Sequence, residues 1–149
     1  RDLSRFVDDQ FDLIVHPCSN GFVPDVNPVW KETARVLKPG GELLAGFTKP
    51  VLHVFDEIEM EKGNLKAVHS IPYSDLTSIS DQRRQKLIDA SEPMLFGHSL
   101  SDLIGGQIAA GFSITGYYED VSPEDVICEH IACFAATKAT LRSPSGPTE

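Results

Sequence analysis

The sequence predicts an α/β fold: part of a parallel sheet with helices on its faces and a cap-like insertion in its middle. Three observations point there. Residues 11–47, FDLIVHPCSNGFVPDVNPVWKETARVLKPGGELLAGF, read as strand, loop, helix, turn and strand. Residues 99–137 hold a helical pattern and then two strand patterns. Between these blocks the span 49–98 sustains neither period for long, as an insertion would.

Taken in order, residues 1–10 (RDLSRFVDDQ) are a polar lead-in with Leu3 and Phe6 as anchors. Residues 11–15 are apolar apart from Asp12, and the branched Ile14 and Val15 suit a strand covered on both faces inside a parallel sheet. Asn27 is placed to cap a helix whose first residue is Pro28, where a missing backbone N–H costs nothing. That helix is expected to run to about Lys38. Trp30, Ala34 and Leu37 recur at helical spacing beside Val29 and Val36, with Lys31, Glu32, Arg35 and Lys38 mostly opposite. Arg35 and Lys38 are expected to face the free carbonyls of the last turn, before Pro39-Gly40-Gly41 stops the helix. Residues 42–47 form the next strand, and a helix-containing link between two strands predicts a right-handed parallel crossover.

In 49–98, two apolar stretches flank Glu61-Lys62-Gly63-Asn64, and the alternation over 65–71 predicts a hairpin; residues 80–90 (SDQRRQKLIDA) predict a short helix. The span reads either as a cap over the ligand edge of the sheet or as a surface insertion. A helix is expected over 99–110, with Ser99 and Asp102 spaced as a reciprocal cap and Gly111 past its end. Residues 112–119 alternate as a half-buried strand, 131–137 form the last strand, and 141–149 (LRSPSGPTE) are expected to be a disordered tail.

These residues carry a family resemblance. FDLIV, the loop, the Asp-containing approach to the helix, RVLKPGG and the following apolar strand resemble the middle of class I S-adenosylmethionine-dependent methyltransferases, and the later helix and strands fit that family's C-terminal half. The resemblance implies a partial Rossmann-like sheet, strands four to seven, with the last two strands antiparallel and the final one inserted beside the KPGG strand. It implies S-adenosyl-L-methionine as the cofactor of the complete enzyme. The family's glycine-rich cofactor loop has no counterpart among the eleven glycines here. Residues 1–140 are therefore expected to be the C-terminal half of a methyltransferase domain with the cap 49–98 inserted, inactive alone. The family's adenine-contacting acidic residue falls near Asp2, but a cap or linker aspartate is the preferred reading of that residue.

Ligands of open α/β sheets bind beyond the carboxyl ends of parallel strands, which selects the loop His16-Pro17-Cys18-Ser19-Asn20-Gly21-Phe22. The resemblance implies that His16, Pro17 and Cys18 approach the cofactor, largely through backbone, and that Asn20 and Phe22 face the substrate. Imidazole exchanges protons near neutrality, so His16 is the candidate catalytic base; it reads otherwise as a loop histidine that only hydrogen-bonds. Asn20 before Gly21 is also a turn former, and Phe22 also a loop anchor. Cys18 reads as an inert thiol. Cys128, His130 and Cys133 lack a second ligand pair at zinc spacing, so no metal site is expected. His53, His69 and His98 read as structural.

Thirteen basic against 22 acidic residues, a formal charge of −9, argue against nucleic acid or an anionic membrane as the partner and favour a small-molecule substrate. No apolar run reaches membrane-spanning length, and three cysteines suit a reducing, cytoplasmic setting. Two other readings stand beside methyl transfer. One is a non-catalytic module that dimerises through the sheet edge exposed beside FDLIV. The other is a nicotinamide-dependent oxidoreductase, for which the glycine fingerprint and a Tyr-x-x-x-Lys pair are missing.

Overall fold

The computed structural model describes residues 3–143. Phe11–His16 forms β1, Asn27–Val36 forms α1 and Leu37–Thr48 forms β2. β1 and β2 are parallel neighbours joined through α1, as the strand–helix–strand pattern requires. Arg35 ties the lead-in to this unit: its guanidinium donates to the carbonyls of Leu3 and Phe6 and to Asp8 and Glu32. Asp2 and the tail residues 144–149 lie outside the described residues.

Both ends of α1 differ from expectation. Asn27 is already helical, and Asp25 Oδ1 accepts its backbone N–H at 2.9 Å and its amide Nδ2 at 3.1 Å. The helix ends at Val36 because Leu37, fully buried, turns extended (φ −80°, ψ 141°) to pair with Phe11. Lys38 therefore bonds Asp12 across the strands at 2.8 Å instead of closing a helical turn. Pro39-Gly40-Gly41 makes an irregularity inside β2 rather than a turn before it. Gly40 takes φ +80°, and a Cβ on Gly41 would stand 2.8 Å from Lys38 O and 3.2 Å from Asp12 O, so this corner tolerates only glycines.

The later elements are α2 (Glu57–Glu61), β3 (Tyr73–Ser74), α3 (Asp81–Asp89), β4 (Phe96–Gly97), α4 (Gly106–Ala109), β5 (Phe112–Asp120) and β6 (Phe134–Leu141). The helix predicted over 99–110 is present, but its first part, Ser101–Gly105, widens into π-helical turns before α4. Its cap is reciprocal: Ser99 Oγ donates to Asp102 Oδ2 at 2.6 Å and accepts the Asp102 N–H at 3.1 Å. The main sheet runs β1-β2-β6-β5, with β6 antiparallel to both neighbours. That is the insertion of the last strand beside the KPGG strand that the resemblance implied.

The last strand is offset from its predicted range. A 3₁₀ turn at Val126–Glu129 and the burial of Cys133 hold residues 131–133 out of the ladder, so β6 starts at Phe134. It extends to Leu141, which packs against the core, and the Arg142 side chain then donates to the carbonyls of Gly111 and Ile108. In the cap the expected hairpin reduces to one antiparallel bridge, Phe55 to Ala67. Asp56 accepts the Glu59 N–H at 3.0 Å and starts α2 where an extended strand was expected. Ser80 caps α3 in the same way through Arg83.

The core lies between one face of the sheet and the helices α1 and α4. Trp30, Leu43, Ala45, Phe47, Leu103 and Phe112 meet there, and Trp30 Nε1 donates to Asp102 O at 3.0 Å. On the other face Leu13, Val15, Leu44 and Tyr118 are exposed, and β1 forms one edge of the sheet. No helix among the described residues is long and apolar enough to cross a membrane.

Candidate functional site

The site is built where β1 ends. Ile14 and His16 pair with Leu43 and Ala45 and so face the helical layer, while Leu13 and Val15 face the open side. The chain leaves the sheet at Pro17, makes a 3₁₀ turn at Asn20–Phe22 and reaches α1. A cavity of about 420 Å³ opens between β1, this loop and α1; His16, Pro17, Ser19, Phe22, Val23 and Val29 contribute to its wall.

His16 Nδ1 lies 2.9 Å from Pro17 O and 3.4 Å from Ser19 Oγ, and the ring sits 5.6 Å from the Trp30 ring, centroid to centroid. With Nδ1–H donating to the Pro17 carbonyl, Nε2 carries the ring's lone pair. Trp30 backs the imidazole with the largest buried side chain of the core, so the strand end is held by packing as well as by pairing.

Of the residues singled out in the sequence, His16, Pro17 and Phe22 share this cavity, and Cys18 and Asn20 do not line it. The Cys18 sulfur lies against Gly46 of β2, and partial burial there pushes the thiol up from its usual range, away from the activated thiolate a nucleophile requires. Asn20 is 3% exposed, its Nδ2 donates to Gly46 O at 3.4 Å, and its Oδ1 is buried with no partner among the described residues. No group of three metal-ligating side chains occurs among the described residues.

Sequence reading did not anticipate what grips this loop from the cap side. His98 Nε2 donates to the Asn20 carbonyl at 3.0 Å, across 78 residues of chain. The Phe96 carbonyl lies close to Gly21. Nothing in a lone histidine after a glycine signals such a contact, since it exists only once β4 is set beside the loop.

A parallel strand–helix–strand unit, an antiparallel last strand inserted beside it and a ligand edge at the carboxyl end of β1 define a partial Rossmann-like sheet of the methyltransferase kind. Known proteins agree. The family description "Methyltransferase domain" matches residues 1–45. The uncharacterized methyltransferase YbaJ of Bacillus subtilis (strain 168) is 49% identical over 138 residues, covering 93% of this chain and 54% of that protein. The chain thus spans about half the length of the curated relative it matches. An S-adenosylmethionine-dependent methyltransferase from Mesorhizobium loti superposes with a TM-score of 0.59 at 16% identity, covering 91% of this chain and 63% of the other. A counterpart from Methanosarcina mazei gives 0.58 at 19% identity, with 96% and 64% covered. The chain is thus similar to part of a methyltransferase, and its fold is that of part of the class I S-adenosylmethionine-dependent methyltransferases.

Proposed function

We propose that this chain is the C-terminal part of an enzyme that transfers a methyl group from S-adenosyl-L-methionine to a small-molecule acceptor, and that it is inactive without the part that carries the glycine-rich cofactor loop. The observation that carries this reading is the cavity of about 420 Å³ at the carboxyl end of β1, on a strand–helix unit that itself matches the methyltransferase family. The residues present suit one side of the cofactor only. The backbone at His16, Pro17 and Cys18 would border its methionine end, and no loop here would cradle the rest. When bound, the cofactor supplies an electrophilic methyl on a positively charged sulfur.

What this chain supplies is position. His16 and Phe22 stand on one wall of the cavity, and a nucleophile held there would meet the methyl carbon in line with its breaking bond. Orientation alone provides much of the acceleration, and His16 Nε2 is the atom available to take the acceptor's proton. Asn20 acts from below the loop, steadying the substrate side through Gly46 and His98. The span 49–98 serves as the cap that selects the acceptor. The cysteine usage and the excess of acid over base fit a cytoplasmic enzyme of small molecules.

As an isolated piece, the chain would pair with a second copy through the exposed β1 edge, where Leu13 and Val15 are open to solvent; a non-catalytic dimerising module is the second reading. Calorimetric titration with S-adenosylhomocysteine separates the two. The chain extended by its natural upstream residues should bind, and the 149-residue form should not. Absence of heat from both lengths would transfer the assignment to the dimerising module.

A further inference from the structure

The cap holds a ring cluster that neither the fold nor the strand-end cavity uses. His53 stacks on Tyr73 with ring centroids 5.4 Å apart and planes 16° from parallel, and His69 meets the same ring edge-on at 4.9 Å and 61°. Beneath them Asp75, 4% exposed, accepts the Tyr73 hydroxyl at 2.6 Å with one oxygen and the Leu95 N–H at 2.7 Å with the other. A half-open cavity of about 100 Å³ lies among these rings, bordered by Leu52, Phe55 and Leu95 and by the Glu57–Arg83 pair. The imidazole nitrogens of His53 and His69 form no hydrogen bond among the described residues, and neither is sealed in as a buried, unpaired atom.

We propose that His53, His69 and Tyr73 form a ligand subsite separate from the strand-end cavity, and that it takes a small, flat, uncharged ring bearing a hydroxyl group, that is, a phenol-type compound. Its binding does not rest on the methyl-transfer reading above. Three features select that chemistry. The walls are ring faces and edges, which favour a flat aromatic guest. The local charges are already matched: Asp75 is satisfied by Tyr73 and Leu95, and Glu57 pairs with Arg83 at the cavity wall, so an ionic ligand would gain no partner to offset its desolvation. Burial also pushes the His53 pKa down, which keeps its imidazole neutral and able to accept a hydroxyl proton in a hydrogen bond. At about 100 Å³ the cavity is smaller than the roughly 150 Å³ that holds benzene, so the ring enters by its hydroxyl-bearing edge and the rest of it stays at the open mouth.

The subsite also abuts the strand-end loop. A Cβ on Gly97 would stand 2.8 Å from His53 Cγ and Cδ2, so glycine in β4 is what lets the imidazole lie where it does. The very next residue, His98, holds the Asn20 carbonyl of the loop. A ring docked against His53 would therefore sit one residue of chain away from the contact that positions the proposed methyl-transfer site.

The test uses the full natural chain with phenol as probe and cyclohexanol as the non-aromatic control, following histidine and tyrosine ring signals by nuclear magnetic resonance. Phenol should shift the His53, His69 and Tyr73 signals saturably, and cyclohexanol should not. His53→Gln should weaken phenol binding by about tenfold or more, with signals from the main sheet unchanged. Gly97→Ala should do the same by displacing the imidazole without removing a ligand group. Equal responses to phenol and cyclohexanol, no response to either, or full phenol affinity in both variants would each overturn the subsite. S-adenosylhomocysteine binding measured on the same sample keeps the two readings apart. Cofactor binding without a phenol response removes the subsite alone, and a phenol response without cofactor binding keeps the subsite and removes the methyl-transfer reading.

Discussion

The sheet with α1 and α4 and the cap over residues 49–98 are held together by different physics. In the sheet unit Trp30, Leu37, Leu43, Ala45 and Phe47 are all fully buried, and the helices close over them. In the cap only Asp75 and Gly97 are buried, and its order rests on directed contacts: Tyr73 to Asp75 to Leu95, Ser80 to Arg83, Arg84 to the Leu76 carbonyl. Apolar burial is additive and tolerant of sequence, whereas a hydrogen-bonded chain fails when one member goes. The difference assigns stability to the sheet, and residues 49–98 should open locally at far lower free energy than the sheet.

The largest expected effect breaks the sheet side. Trp30 is fully buried, donates to Asp102 O and backs His16. Trp30→Ala should cost about 3–5 kcal/mol, a large share of the roughly 5–15 kcal/mol typical of a domain. Since this is the chain's single tryptophan, the loss is followed by circular dichroism in a thermal scan, where Tm should fall by roughly 10 °C. Cap and sheet should melt together, because the cap has no core on which to survive.

A smaller effect should stay within the cap. Asp75→Ala leaves the Tyr73 hydroxyl and the Leu95 N–H without their acceptor, at about 1–3 kcal/mol for an orphaned buried group. Amide exchange should speed up at Leu95 and at position 75, whose N–H groups bond Asp75 Oδ2 and Leu95 O, while β2 and β6 keep their protection. Equal loss of protection in the sheet would mean that the two regions form one cooperative unit, and the contrast between them would fall.

The same contrast decides what was legible in the sequence. Apolar periodicity marked β1, α1, β5 and the helix after Ser99, because burial against a sheet leaves a regular imprint on residue order. Periodicity could not show that Leu37 leaves the helix to pair with Phe11, nor that residues 131–133 stay out of β6, since both follow from tertiary packing. In the cap the first arm of the expected hairpin gave way to α2, which the capping bond of Asp56 starts, and the alternation over 65–71 left only the bridge of Ala67 to Phe55. At the site, the strand-end rule located His16, Pro17 and Phe22 around one cavity, because that rule depends only on the direction of β1. It could not separate Cys18 and Asn20, whose side chains lie against Gly46, nor find His53, Tyr73 and Asp75, which are joined by ring stacking and one carboxylate.

The smallest effect should come from pH and act on the cap alone. Burial lowers the His53 pKa below its ordinary 6.5; Asp75 nearby raises it and His98 lowers it, and burial prevails. The unfolded chain then binds a proton more readily than the folded cap, so stability rises with pH through this group. Its contribution is fully present above pH 6.5 and is lost as pH falls from there through the lower, folded value. Cap amides should therefore exchange faster, relative to the sheet, at pH 5.5 than at pH 7.5 after correction for intrinsic rates. His53→Gln, which cannot take up a proton, should flatten that difference. If the variant keeps the full acid response, the stacked imidazole on Tyr73 is not what couples the cap to acidity.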